Sequence, residues 1–336
     1  MGITRGTSYA FLFVLIVNLQ YLSVFGRMVC GGRGWGWRLA LVLLIELFAA
    51  TRYGMYHVLI LLGLWAGAFL VYLRVPSWGQ IIAGVVGGLL LLAPLQASKL
   101  TLRSVSRDSN GLETAGSPLK KTWLWSSTML ESFWKTLSGR LDASFLGDTC
   151  ARYNQGWIVN RVMQRVPSTE PYAHGTTLRD AMISALVPRF FHPDKVVTGG
   201  FVNMTRFAGV ELNDQTSMNL GYAGEMYANF GYWGGLLGSG CYCLLFALLF
   251  RWLCVRAFVA PLWWGMLPFV FFVVFKAEDD IVGVVNWTVK SMVVLAGVCV
   301  VSPAIRLALF PPKPSVAKRT GRSPRSKPQP NPSSAV

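Results

Sequence analysis

The chain has 336 residues, of which 53% are hydrophobic and only 14% are charged. Soluble domains carry about 25% charged residues, so this composition excludes an ordinary soluble protein and indicates an integral membrane protein. The net charge is +16. The distribution of these charges, more than their number, predicts how the chain is oriented in a membrane.

Apolar runs recur along the chain, and about 20 apolar residues suffice for a helix to cross a hydrocarbon core about 30 Å thick. We predict an all-α integral membrane protein with about seven transmembrane helices and one long extracytoplasmic loop that contains short amphipathic helices. The predicted spans are residues 8–25, 37–50, 55–73, 78–96, 229–250, 258–275 and 286–308.

The spans and the segments between them divide the chain into four regions. Residues 1–97 form an N-terminal transmembrane block of about four helices, and residues 229–310 form a C-terminal block of about three. Between them lies the long polar segment, residues 98–228. Residues 311–336 form a basic tail rich in Pro and Ser, which we expect to be disordered because it cannot build a core.

Basic residues follow alternate predicted spans. Short loops rich in Lys and Arg mark the cytoplasmic side, so we expect the C-terminus in the cytoplasm and the long polar segment outside it. The acidic trio at 278–280 falls on the outer side. The N-terminus then lies outside without a cleaved signal, which is unusual and points to a missing upstream span or to an error of one in the count. The basic residues in question are Arg27, Arg33, Arg38, Arg74, Arg251 and Arg256.

The long polar segment shows several local patterns. Residues 121–165 have the apolar spacing of amphipathic helices, and 178–187 read as a short helix. Residues 190–213 contain Pro and several Gly and are predicted to be irregular. Residues 219–230 are predicted to begin a helix that feeds into the fifth span, with Glu225 and Asn229 on one face because they are four residues apart.

Four motifs in this segment resemble a known family. They are Arg-x-Asn-Gln-Gly at 152–156, Pro-Tyr-x-x-Gly at 171–175, Ala-Leu-Val-Pro-Arg-Phe-x-x-Pro-Asp-Lys at 185–195 and Thr-Ser-x-x-x-Gly-x-x-x-Glu-x-Tyr-x-Asn-Phe-Gly at 216–231. From about 99 to 233 the chain resembles the bacterial polysaccharide and O-antigen polymerases, the oligosaccharide repeat unit polymerases. That family usually has more spans ahead of the long loop than this chain has.

The resemblance implies polymerisation of polyprenyl-diphosphate-linked oligosaccharide repeat units into a cell-surface polysaccharide. The transfer is expected to be independent of metal and cofactor and to occur at the outer face of the bacterial cytoplasmic membrane. The implied partners are the lipid-linked glycan, the bilayer, and a flippase and chain-length regulator of the same pathway, with no nucleic acid.

The chemistry of this transfer favours particular basic residues. A departing diphosphate needs positive charge, and the long polar segment has no acidic cluster to hold Mg²⁺. Arginine can replace the metal because its planar guanidinium donates two hydrogen bonds to phosphate. We predict catalytic roles for Arg189 and Arg152, and substrate binding by Arg161, Lys195 and Arg206. Contact with solvent or lipid headgroups is the alternative for each.

The acceptor hydroxyl has to lose a proton, and Glu225 is the predicted base because an ionisable group at a membrane edge needs a functional reason. A structural ion pair with an arginine is the alternative. Asn229, Tyr172 and Tyr222 are predicted to bind substrate, although aromatic side chains equally suit a membrane-interface belt.

Three other functions remain open. A ligase that moves a finished glycan onto another carrier would use the same residues. A transporter would concentrate polar residues within spans, whereas here Glu46 is the only carboxylate inside a predicted span. A non-catalytic membrane protein of the cell envelope is the third alternative.

The charge pattern makes a testable prediction about orientation. In a variant without native cysteines, a single cysteine at Ser109 should react with a membrane-impermeant thiol reagent in intact cells or spheroplasts. A cysteine at Ser326 should react only after the membrane is opened. The reverse labelling pattern would place the long polar segment in the cytoplasm.

Overall fold

The computed structural model describes residues 8–53, 56–106, 118–140, 147, 154, 156–188, 190–192, 200–212 and 218–311. Within these ranges the chain forms helices and no strands. The main helices are α1 (Ser8–Asn18), α2 (Gln20–Val29), α3 (Trp35–Tyr53), α4 (His57–Arg74), α5 (Trp78–Ser106), α6 (Pro118–Leu137), α7 (Gly156–Arg165), α8 (Thr176–Leu186), α9 (Gly221–Val259), α10 (Leu262–Phe271), α11 (Ile281–Val301) and α12 (Pro303–Leu309).

The predicted all-helical class is confirmed over the described residues, and the long apolar helices are consistent with a membrane protein. The predicted number of spans is not confirmed. Among the described residues, three helices are long and apolar enough to cross a bilayer, namely α4, α9 and α11. Phe13–Val29, Trp78–Gly88 and Leu262–Phe271 are shorter apolar stretches. The seven-span arrangement therefore stays a prediction.

The predicted span 258–275 takes a different form. Residues 258 and 259 are the end of α9, and the only helix that lies wholly within this span is α10. Its 10 residues rise about 15 Å, roughly half of a hydrocarbon core. The indole of Trp263 donates to Leu309 O at 2.8 Å, and that of Trp287 donates to Phe269 O at 3.0 Å. The start of α10 therefore lies near the residues that follow α11, and its end lies near Trp287 of α11. This places α10 antiparallel to α11, inside the bundle. Turns follow after Phe271, so hydropathy predicted a longer helix than the chain forms.

Small residues let α10 approach α2 closely. A Cβ added at Gly265 would lie 2.9 Å from Gly26 N, and one added at Gly26 would lie 3.1 Å from Leu262 Cδ1. Close backbone contact through small residues is characteristic of helix packing in membranes. Around this contact the core includes many aromatic side chains, among them Phe25 and Trp263.

Glu46, the carboxylate inside a predicted span, has partners on a neighbouring helix. The hydroxyl of buried Tyr21 donates to Glu46 Oε1 at 2.9 Å, and Gln20 Nε2 donates to the same oxygen at 3.4 Å. A polar group in an apolar environment is costly unless it is hydrogen-bonded. Glu46 therefore has a structural explanation, as a link between α2 and α3.

The helix α9 is folded back on itself at Gly231. This residue has φ 71° and ψ −162°, a conformation that is essentially restricted to glycine. We call 221–230 the first arm and 232–259 the second arm. The rings of Tyr222 and Tyr242 stack 5.5 Å apart, whereas a straight helix would separate these residues by about 30 Å. The two arms therefore form a tight helical hairpin, the α9 hairpin.

Glycines on the second arm allow this close contact. A Cβ at Gly235 would lie 2.9 Å from Tyr227 Cα and 3.0 Å from Tyr227 N. A Cβ at Gly238 would lie 2.9 Å from the sulfur of Met226. A flexible methionine can move, but the backbone of Tyr227 cannot, so Gly235 is the tighter constraint.

Most predicted helices of the long polar segment are confirmed. The amphipathic pattern at 121–165 is helical in α6 and α7, while most of 141–155 lies outside the described residues, and the short helix at 178–187 corresponds to α8. The predicted irregular stretch contains a helical turn, Phe201–Asn203, that continues into the π-helix Met204–Ala208. Gly200 and Gly209 adopt left-handed backbone conformations at the two ends of this helical segment. They therefore bound the segment rather than prevent it.

The α9 hairpin makes a prediction about stability. Gly235→Ala should lower the free energy of unfolding by about 1–3 kcal/mol, because the methyl group overpacks a backbone contact. Gly240→Ala is the matched control on the same arm, since a Cβ there meets nothing within 4 Å and alanine favours helix by up to about 1 kcal/mol. Melting temperatures of the two variants in detergent should therefore move in opposite directions. Equal behaviour would argue against the hairpin.

Candidate functional site

Two of the family-like motifs meet at the bend of the α9 hairpin. The N–H of Ala173 donates to Ala228 O at 2.9 Å, and the N–H of His174 donates to Asn229 O at 3.2 Å. These carbonyls lie in the last turn of the first arm, where helix geometry leaves such groups without intrahelical partners. The break at Gly231 thus frees the acceptors that hold the motif at 171–175.

The side chain of Asn229 joins three segments of this site. Its Nδ2 donates to Thr177 Oγ1 and to Glu225 O, both at 2.7 Å, and its Oδ1 accepts from Gly175 N at 2.8 Å. Because both ends of the amide have suitable partners, its orientation is determined. Asn229 is 0% exposed, so these bonds replace all contact with water.

Glu225 lies one helical turn earlier and is also 0% exposed. Its Oε2 accepts from the backbone N–H of Ile281 at 3.0 Å, in the first turn of α11. Asp280 caps the same helix by accepting from Gly283 N at 2.7 Å. Helix N-termini favour negative charge. Within the described part of the chain, no lysine or arginine forms an ion pair with Glu225.

The second carboxylate oxygen of Glu225, Oε1, has fewer hydrogen-bond partners than Oε2. Oε1 is buried and has no hydrogen-bond partner among the described atoms, although the Thr177 hydroxyl lies beside the carboxylate. Leaving a buried acceptor unpaired costs about 1–3 kcal/mol, and more when it is charged. This oxygen is therefore the position in the site where an additional donor would be most favourable.

A charged loop lies against the start of the first arm. Lys276 pairs with Asp279 at 2.8 Å and with Glu278 at 3.6 Å, and Asn219 Nδ2 donates to Asp279 at 3.4 Å. Burial raises the pKa of the Asp279 carboxyl above its ordinary value, while the Lys276 ammonium acts in the opposite direction. The acidic trio predicted at 278–280 is thus partly neutralised and helps to cap α11.

The predicted tyrosines occupy two positions. The Tyr172 hydroxyl lies 3.0 Å from where a Cβ of Gly231 would be, and its ring makes edge contacts with Tyr227 and His174. Tyr172 therefore covers the bend of the α9 hairpin. Tyr222 stacks on Tyr242 at the opposite end of the first arm.

The predicted basic residues lie on other elements. Arg206 pairs with Glu170, stacks over the ring of Phe207 at 4.6 Å, and accepts through its carbonyl from Arg165 Nε at 2.9 Å. Arg161 is exposed on α7. Arg206 was predicted to bind phosphate, but its guanidinium is already paired with the carboxylate of Glu170.

The other three predicted basic residues, Arg152, Arg189 and Lys195, lie outside the described residues. Their roles stay predictions. In the part of the chain that the structure covers, no three His, Cys, Asp or Glu side chains come together in a way that could hold a metal ion.

Sequence reasoning missed Thr177, the N–H of Ile281 and the capping residue Asp280. An acidic residue directly before a long apolar run is a helix N-cap signal, so Asp280 could have been found. Thr177 and Ile281 carry no local signal, because each acts through a residue that is distant in the sequence.

Comparisons of the chain with protein-family models, with curated proteins and with solved structures each found no match. The resemblance to polysaccharide polymerases therefore rests on the motif residues alone.

The network of Asn229 makes a prediction. Asn229→Ala should lower the free energy of unfolding by about 1–3 kcal/mol, because it leaves the N–H of Gly175 without its acceptor in a buried site. Asn160→Ala, on the exposed side of α7, is the control and should change stability little. The melting temperatures of the purified variants in detergent provide the comparison, and equal values would contradict the network.

Proposed function

We propose that the protein transfers glycans from a polyprenyl diphosphate, polymerising lipid-linked repeat units at the outer face of a bacterial cytoplasmic membrane. The reaction forms a bond between the donor's anomeric carbon and an acceptor sugar hydroxyl. The bond between that carbon and the diphosphate breaks, the lipid diphosphate leaves, and the hydroxyl proton passes to a base.

One observation carries the proposal. The motifs at 171–175 and 216–231 were singled out from the sequence for their resemblance to polymerases. They meet at the bend of the α9 hairpin through two backbone hydrogen bonds and one to the side chain of Asn229. Residues that serve one site are expected to converge in this way. Helical character and long apolar helices are consistent with a lipid-linked substrate.

Glu225 remains the proposed base, although its burial requires the site to open before substrate can reach it. Its Oε1 lacks a hydrogen bond, so a substrate hydroxyl that donates to this oxygen would satisfy it and be in place to lose its proton. Because Glu225 is 0% exposed, the hydroxyl can reach it only after a neighbouring element has moved. The elements beside the carboxylate are α8, through Thr177, and the start of α11, through Ile281, so one of these would have to move.

The test separates catalysis from structure. Glu225→Gln keeps an oxygen that can accept from Ile281 N but removes the ability to take a proton. Purified protein, supplied with a polyprenyl-diphosphate oligosaccharide, should release polyprenyl diphosphate and form longer glycans. Glu225→Gln should reduce turnover by about 10²-fold or more, the contribution of general base catalysis, with its melting temperature little changed.

Glu131→Gln is the matched control, since Glu131 is exposed and pairs with Lys135 on the surface of α6. Its turnover should equal that of the unsubstituted chain. Normal turnover in Glu225→Gln would remove Glu225 from the catalytic residues. Loss of turnover together with a lower melting temperature would instead assign it a structural role in capping α11. Transfer to a different carrier without glycan elongation would identify a ligase.

A further inference from the structure

Helix α8 belongs to the long polar segment by sequence, yet it packs along the candidate span α11. Its inward face consists of small side chains, and Asn286 Nδ2 of α11 donates to Ser184 Oγ of α8 at 2.8 Å. Small residues and interhelical hydrogen bonds from Ser and Asn are typical of helix contacts within membranes. The buried residues of α8 are Thr177, Ala181, Ser184 and Ala185.

The two helices run in the same direction. Ala181 packs with Ile281 and Val282, at the start of α11, whereas Ser184 contacts Asn286, further along it. The C-terminal end of α8 is therefore the end that lies deeper along α11.

The depth follows from the length of α11. Its 21 residues span about 31 Å, which matches the hydrocarbon core, so its first residue lies near the bilayer edge. The charged loop that precedes Ile281 is consistent with this position. Asn286 then lies about 7 Å below that edge, and the end of α8 lies slightly deeper.

At that depth the outward side of α8 and the following turn present large apolar side chains. Met182 is 49% exposed, Leu186 60%, Phe190 88% and Phe191 74%. In contrast, Arg179 and Asp180, nearer the N-terminal end, pair with each other at 3.4 Å and remain accessible. The helix is thus charged where it would meet headgroups and apolar where it would meet acyl chains.

We propose that α8 is a re-entrant helix whose apolar tip, formed by Met182, Leu186, Phe190 and Phe191, inserts into the outer leaflet and contacts lipid acyl chains. The surface is continuous with the lipid-facing surface expected for α11, where Val293 is 61% exposed. Moving these apolar side chains from water into the acyl chains is favourable because it removes their surface from water. The proposal holds whether or not the protein is a glycan transferase.

The experiment uses the full chain in vesicles of phosphatidylethanolamine and phosphatidylglycerol. All six native cysteines are replaced, and single cysteines at Leu186 and Phe190 are labelled with a nitroxide. Collision with oxygen, which dissolves in acyl chains, is compared with collision with a water-soluble nickel chelate. Leu245, exposed on the second arm of α9, is the lipid control, and exposed Ser168 is the water control.

Labels at Leu186 and Phe190 should be more accessible to oxygen than to nickel, as at Leu245, and Ser168 should show the opposite. Nickel access at Leu186 and Phe190 equal to that at Ser168 would overturn the proposal. Low access to both reagents would overturn it as well, because another protein surface would then cover the tip. Loss of glycan transfer in these variants has no bearing on the outcome, since the measurement does not depend on activity.

Discussion

The backbone conformation of Gly231 is the constraint on which the rest of the site depends. With φ 71° and ψ −162°, it interrupts a long apolar helix at a point where other residues could not. The interruption turns the first arm back along the second and leaves the carbonyls of Ala228 and Asn229 free to bind the motif at 171–175. Tyr172 then packs over the bend, so the motif and the hairpin hold each other in place.

The interior of the site is polar in an apolar setting, which makes hydrogen-bond satisfaction decisive. Asn229 is fully paired, and the start of α11 is supported by two carboxylates, Glu225 and Asp280. Such networks rigidify a structure when every group is paired. Glu225 Oε1 and Asn286 Oδ1 are buried exceptions. Of these two acceptors, Glu225 Oε1 is the one within the candidate site, where a ligand that supplies a donor would complete the network.

Local patterns predicted local structure, and they did not predict partners distant in the sequence. The spacing of Glu225 and Asn229 correctly placed both on one face, because four residues make about one turn of any α-helix. The bend between the arms was missed, since glycines within an apolar run equally suit close helix packing. Hydropathy also predicted a full span at 258–275, because a buried half-length helix such as α10 has the same composition as a lipid-facing one. The bond from Ile281 to Glu225 depends on the tertiary fold alone.

The division of the chain into membrane blocks and a long polar segment rests on composition, and helix α8 of the polar segment packs against α9 and α11. A boundary after Ala228 would cut through the first arm of the α9 hairpin. Thr177 would then be separated from Asn229, and Ser184 from Asn286. The polar segment produced as a separate soluble fragment would lack the surfaces against which its own helices pack. We therefore expect that grafting this segment onto another membrane scaffold would leave these buried polar groups without partners.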